Sequence, residues 1–300
     1  MTSTLTRFST ASCSLGRLLV ALGLTIVTVS GLVSALTTDH VHAAECKPLL
    51  WMFHRGPGVA AVAADAEASR FLDDTRPYVL KKRGDAFVIP PNWHATPSTP
   101  FQSFGAIKAA LEQHTLAPDV KGVLYDYEKW SFTPEEEQRN PPGYVQQAAD
   151  LVHAHDLLFL TSPSANLVKV MAPETGKGDA DLFSAYLRLG IAADGARYAD
   201  VFVIQAQRAL RNTEVFANFV QQAASQARRA NPKVVVLAGI STNPIGRHVI
   251  TDDILRAIAA TRDIVDGYWL NIPTRNEYSP GITEYRPDIA IEVLHRLAEQ

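Results

Sequence analysis

From Leu49 onward the chain alternates short, uninterrupted apolar runs with longer amphipathic stretches, and this alternation limits the fold more than any other feature. The apolar runs are "LLWMFH" (49–54), "DAFVIPPNW" (85–93), "GVLYDYEKW" (122–130), "DLLFLTSPS" (156–164), "DVFVIQAQ" (200–207), "KVVVLAGIST" (233–242) and "VDGYWLNIP" (265–273), with "RPYVLKK" (76–82) as a weaker eighth. Between them lie helical patterns such as "FGAIKAALEQH", "GYVQQAADLVHAH", "TEVFANFVQQAASQARRA" and "DDILRAIAATRD". Strands that are apolar on both faces and alternate with helices require a parallel sheet covered on both sides. An α/β fold of the (β/α)7-8 TIM-barrel type is therefore expected, with an open doubly wound sheet as the competitor. The stretch after the first strand, "HRGPGVAA", lacks the glycine spacing of a dinucleotide-binding loop.

The segment before this pattern reads as an export signal. Arg7 and Arg17 precede or enter an uncharged apolar run, Leu18 to Leu36, and Val41 and Ala43 stand at the small-residue positions of a cleavage site. Residues 1–44 are thus a signal peptide, cleaved or kept as an N-terminal anchor, and 45–300 a single barrel domain. Secretion is expected, with no stable membrane partner unless that segment is retained. Of the two cysteines, Cys13 falls in the signal and Cys46 just after it, which leaves no internal disulfide to brace the barrel. A net charge of −3 argues against nucleic acid as a partner, since phosphate backbones select basic surfaces. A monomer is expected.

In a parallel barrel, chemistry gathers beyond the C-terminal ends of the strands. Asp85, Asp156, Asp200 and Asp266 stand at strand starts and read as bottom-rim residues; Asp126 and Glu128 are the carboxylates at a strand's late end. Residues two apart share a face, so Leu124, Asp126 and Glu128 go together, as do Gln205 with Gln207 and Trp269 with Asn271. If those faces point inward, the mouth offers two acids beside amides that hydrogen-bond hydroxyls without adding charge. Trp93 with its neighbour Asn92, Trp130 and Trp269 fall late in strands or just after them, where indoles suit the apolar face of a sugar ring. The ordinary alternatives are a surface acid pair held by Lys129 or Arg139, glutamines that link strands, and tryptophans that belong to the core. Glu135, Glu136 and Glu137 read as a solvated helix start.

"VLYDYEKW" resembles the strand-end signature of chitinase-like, family 18 glycoside hydrolases, Asp-x-Asp-x-Glu. Asp126 and Glu128 match its last two acids, and Leu124 replaces the first. "QAQ" and "DGYWLN" are similar in placement to that clan's polar strand and late tryptophan. The chain also resembles secreted actinobacterial proteins without an assigned activity. The resemblance implies a carbohydrate substrate, no cofactor, and Glu128 as general acid. Asp126 would raise the pKa of Glu128 by like-charge repulsion and orient a substrate N-acetyl group as internal nucleophile. Tyr268 or a loop tyrosine would supply a further hydroxyl. Two other functions fit the residues. "FHRGPG" resembles the opening of glycerophosphodiester phosphodiesterases, in which His54 would hold a divalent cation with Asp126 and Glu128, and Arg55 a phosphate. A barrel that binds glycans without cleaving them is the other.

Overall fold

Eight short parallel strands close into a barrel in sequence order, each hydrogen-bonded to its neighbours and the last to the first. The computed structural model describes residues 48–175, 178–244, 247–275, 281–282 and 284–300, and Leu49–Glu299 form one unit. The expected export segment, residues 1–44, and both cysteines lie outside the described residues. The first half of the chain runs β1 (Leu50–His54), α1 (Pro57–Ala64), α2 (Ala66–Phe71), β2 (Tyr78–Leu80), β3 (Thr96–Phe101), α3 (Phe104–Glu112), β4 (Gly122–Tyr125), α4 (Glu135–Arg139) and α5 (Pro141–His153). The second half runs β5 (Leu158–Thr161), α6 (Val168–Met171), α7 (Asp179–Arg188), α8 (Ile191–Ala196), β6 (Val201–Ile204), α9 (Thr213–Ala230), β7 (Val235–Ser241), α10 (Thr251–Thr261), β8 (Gly267–Asn271) and α11 (Pro287–Ala298). This is a TIM-type α/β barrel.

The helices form where the apolar period requires them. In α9 the side chains of Phe216, Phe219, Val220, Ala223, Ala224 and Ala227 make one buried stripe, and Asn212 caps the start by accepting from the Val215 amide. Phe219 stacks on Phe183 of α7 at 4.1 Å between ring centres.

Seven of the eight strand expectations hold, including the weak "RPYVLKK", which contains β2. The exception is "DAFVIPPNW". That segment is not a strand; it runs from the end of β2 to a 3-10 turn at Pro91–Trp93, and β3 lies in the proline-rich stretch that follows. The prolines are tolerated because of where their missing N–H groups would point. β2 ends at Leu80, paired with Ser98, and the Lys81 amide donates to the Ser98 carbonyl at 2.8 Å, so Pro100 lies at the end of that ladder. Pro97 still accepts from the Lys121 amide through its carbonyl.

Inside the barrel, Met52, Leu80, Leu124, Leu160, Val203 and Leu237 pack into a dry plug, each contributing about 1.5–3 kcal/mol by burial. Two residues further along, the same inward face turns polar in strand after strand, at His54, Lys82, Asp126, Ser162 and Gln205. The floor of the mouth is the level at which this switch occurs.

Candidate active site

The mouth opens into a cavity of about 600 Å³. Asp126, Glu128, Trp130, Gln205, Gln207, Trp269 and Asn271 all line it, as does His54. The parity reading of β4, β6 and β8 therefore places these side chains correctly, while Tyr125 and Tyr127 on the opposite face are buried among the helices.

Asp126 and Glu128 lie just past the end of β4, and the ladder continues with them. The Asp126 amide donates to the Phe101 carbonyl at 2.8 Å, and Ser162 and Ser164 donate to the carbonyls of Tyr125 and Tyr127. The chain beyond Glu128 is pinned by Thr133, whose hydroxyl accepts from the Glu128 amide at 3.2 Å and the Trp130 indole at 2.8 Å and donates to the Gln102 carbonyl. Gln138 holds the same loop by donating to the carbonyls of Trp130 and Thr133. Glu137 is not solvated, as its acidic run suggests. It is 3% exposed and accepts from the Tyr125 hydroxyl and the Phe104 amide, so it ties α4 to the back of the acid-bearing strand.

The partners of the two acids are neutral. The amide nitrogen of Gln205 lies 3.0 Å from Asp126 Oδ1 and 3.3 Å from Glu128 Oε1. Asn166 donates to Glu128 Oε2 at 3.2 Å while its own carbonyl accepts from the Lys129 amide. Among the described residues no lysine or arginine is paired with either acid, and Arg139 is bound to Glu135 instead, so the surface-pair alternative fails.

Burial raises the pKa of both acids. Asp126 is lifted well above the ordinary carboxylate range by loss of water and then by the charge of Glu128. Glu128 is raised by burial, against the pull of Gln205, Asn166, Ser164 and the Arg208 charge. The repulsion is mutual, so each acid's charge favours the protonated form of the other.

Four expectations are corrected. Trp93 is fully buried, with its indole donating to Ser69 and its ring against Phe53 in the layer outside the barrel. Asn92 beside it is exposed and does not line the cavity. Both precede β3 rather than follow a strand, so they belong to the opposite rim. Tyr268 faces away from the cavity and bonds Thr261 and the Ile258 carbonyl, as its offset by one from Trp269 requires. For the same reason as Trp93, Asp85 is misassigned to the bottom: it follows β2 and pairs with Arg55 at the mouth, 3.0 Å away.

His54 reaches the cavity, and burial lowers its pKa so that it stays neutral. Among the described residues no three His, Cys, Asp or Glu side chains converge as a metal site would need, so His54 does not join Asp126 and Glu128 in the cation site of the phosphodiesterase alternative. Residues that sequence reasoning passed over are Ser162, Ser164 and Asn166 after β5, and Ser241 and Asn243 on β7 and just beyond it. For four of them the signal was present: Ser162 and Ser164 continue the inward parity of Leu160, and Ser241 and Asn243 that of Leu237, whereas Asn166 lies in a 3-10 turn at Ala165–Leu167 that strand parity does not reach. Gly239 on β7 leaves the space that Gln207 fills, since a Cβ there would lie 2.8 Å from the Gln207 amide.

No protein-family profile matches the chain, and no curated protein matches it. Among solved structures, the chain is similar to the spore cortex-lytic enzyme SleL of Bacillus megaterium, at 9% identity and a TM-score of 0.42 over 82% of this chain and 73% of that one. It is similar to a chitinase from Chromobacterium violaceum at 11% identity and a TM-score of 0.45, over 84% and 100%. It is also similar to hydroxymethylglutaryl-CoA lyase from Pseudomonas aeruginosa at 14% identity and 0.41, over 75% and 76%. These proteins are named for different reactions, so the chemistry is read from the residues of the mouth.

Proposed function

We propose that the protein is a glycoside hydrolase that acts outside the cytoplasm, with Glu128 as the proton donor and Asp126 as its partner. The observation that carries this reading is the acid couple itself. Two carboxyls with raised proton affinity face a sugar-sized cavity and share one amide donor, and among the described residues neither is ion-paired with a lysine or arginine. Acids tuned upward can still hold a proton near neutrality, as general acid catalysis requires. Glu128 stands further out along the chain than Asp126 and so meets the leaving oxygen, while Asp126 keeps the proton in the couple until it is needed.

The couple sits side by side on one strand extension rather than across the cavity. A scheme in which two carboxyls flank the sugar ring does not suit that arrangement, and these are the only acids among the described residues that line the cavity. A nucleophile supplied by the substrate's own N-acetyl group does suit it. Gln207, Asn271, Trp130 and Trp269 then hold the sugar through hydroxyl and ring-face contacts.

The test is a screen of the purified protein against chitin-type and cell-wall oligosaccharides, with Glu128→Gln alongside. Cleavage by the wild type and none by the variant is expected, with glycan binding kept in both. Binding without cleavage by the wild type would leave the glycan-binding barrel as the function, and chelator-sensitive cleavage of a glycerophosphodiester would restore the phosphodiesterase reading. Export is checked by N-terminal sequencing of protein recovered from the medium, which should begin near residue 45.

A further inference from the structure

One nitrogen serves both acids. Gln205 Nε2 lies within hydrogen-bond distance of four oxygens: Asp126 Oδ1 at 3.0 Å, Glu128 Oε1 at 3.3 Å, and the carbonyl and hydroxyl of Ser162, both at 3.1 Å. A primary amide has two hydrogens. It cannot give a full bond to every oxygen around it, so a stronger bond to one acid weakens the bond to the other. Gln205 follows β6, whereas the acids follow β4, and β5 lies between these strands. The amide reaches over Ser162, which is fully buried and held by its own amide bond to the Tyr125 carbonyl at 3.0 Å. A small residue on the middle strand is what lets a side chain of the third strand touch the first.

We propose that Gln205 is a positioning residue whose single amide nitrogen couples Asp126 to Glu128, so that the two acids hold and release a proton as one unit. When Glu128 is ionised, the amide hydrogen turns to it and Asp126 keeps the proton; when the proton moves to Glu128, the hydrogen is free to turn to Asp126. No atom is gained or lost in the exchange: one O–H bond breaks as the other forms, and the amide follows. The other groups around the couple are the Ser162, Ser164 and Asn166 side chains and the Arg208 charge on the near wall, with His54, Arg55 and Lys82 also on the cavity lining. Among the described residues, Gln205 alone donates to both acids.

This inference deepens the glycosidase reading, but its first test needs no substrate. In the wild type, the side-chain ¹⁵N signal of Gln205 should move with pH at the midpoints shown by the ¹³C carboxyl signals of Asp126 and Glu128. Gln205→Leu removes the donor that favours both ionised forms, so both midpoints should rise, by roughly one unit or more. Gln205→Asn, too short to meet both acids, should shift only one. If the Gln205 signal ignores the titration, or the midpoints stay put in Gln205→Leu while only its melting temperature falls, the residue is merely structural and the proposal is overturned. Should Gln205→Leu fail to fold, the wild-type signal decides alone. With a cleaved glycan in hand, the pH–rate profile of Gln205→Leu should move to higher pH. Midpoints that shift in a protein that cleaves nothing would keep this coupling and sink the glycosidase reading.

Discussion

The two ends of the barrel use the same kind of side chain for opposite purposes. At the bottom, Asp200 accepts from the Phe159 amide at 2.8 Å and meets His153. Asp266 accepts from the Val236 amide at 2.8 Å and pairs with Arg228. Each stands just before a strand and fastens its neighbour, with a basic partner at hand. At the mouth, Asp126 and Glu128 stand just past a strand, hydrogen-bonded to amides and hydroxyls, with the Arg208 charge acting on Glu128 but ion-paired to neither acid. A carboxyl that loses water in a cavity holds its proton more readily. The contrast lies in the surroundings, since aspartate appears at both ends.

The largest test of that contrast is on activity. Asp126→Asn and Glu128→Gln should each lower turnover by ~10²–10⁴-fold, and the double variant should be little worse than either, because the acids act as a unit. Additive losses would break the couple into two independent groups. Next comes the opposite end: Asp266→Ala strips the Val236 amide and Arg228 of a partner and should cost about 1–3 kcal/mol in denaturant unfolding, with kcat unchanged. A drop in kcat there would show that the two ends are not separable.

The pH dependence of stability sharpens the comparison further. A carboxyl whose pKa is raised on folding binds its proton more readily in the folded state, so its contribution is most favourable in acid. That contribution is lost as pH rises from the ordinary carboxylate value through the raised one. Asp126→Asn should therefore stabilise the protein at pH 8 and not at pH 3, by ~1.4 kcal/mol for each unit by which the pKa is raised; thermal melts across that range measure it. The smallest effect is at Trp93. Trp93→Phe should cost about 1 kcal/mol through the lost bond to Ser69 and leave glycan affinity as it was, by calorimetry.

The barrel was legible because continuous apolar runs have one common use, and the acid couple because parity along β4 is strict. Where reading failed, it failed at β3. A strand holding Pro97 and Pro100 looks like a loop until it is known that β2 is three residues long and stops short of Pro100. That one displacement carried Trp93, Asn92 and Asp85 to the wrong rim. The buried Glu137 was hidden for a different reason: its partners Tyr125 and Phe104 are close in space, and nothing in a run of three glutamates says which one turns inward. Gln205 was placed correctly in the mouth, but a link from β6 to β4 across β5 depends on the closeness of the strands, which spacing along the chain cannot express.

Gly239 makes the working volume vulnerable from a wall that carries no acid. One added methyl would meet the end of Gln207, and the cheapest relief is for that flexible side chain to swing into the space meant for a guest. A descendant with alanine there could keep both carboxyls and still admit nothing. Sorting such barrels into active and silent ones thus calls for inspecting this bare stretch of backbone as well as the acids.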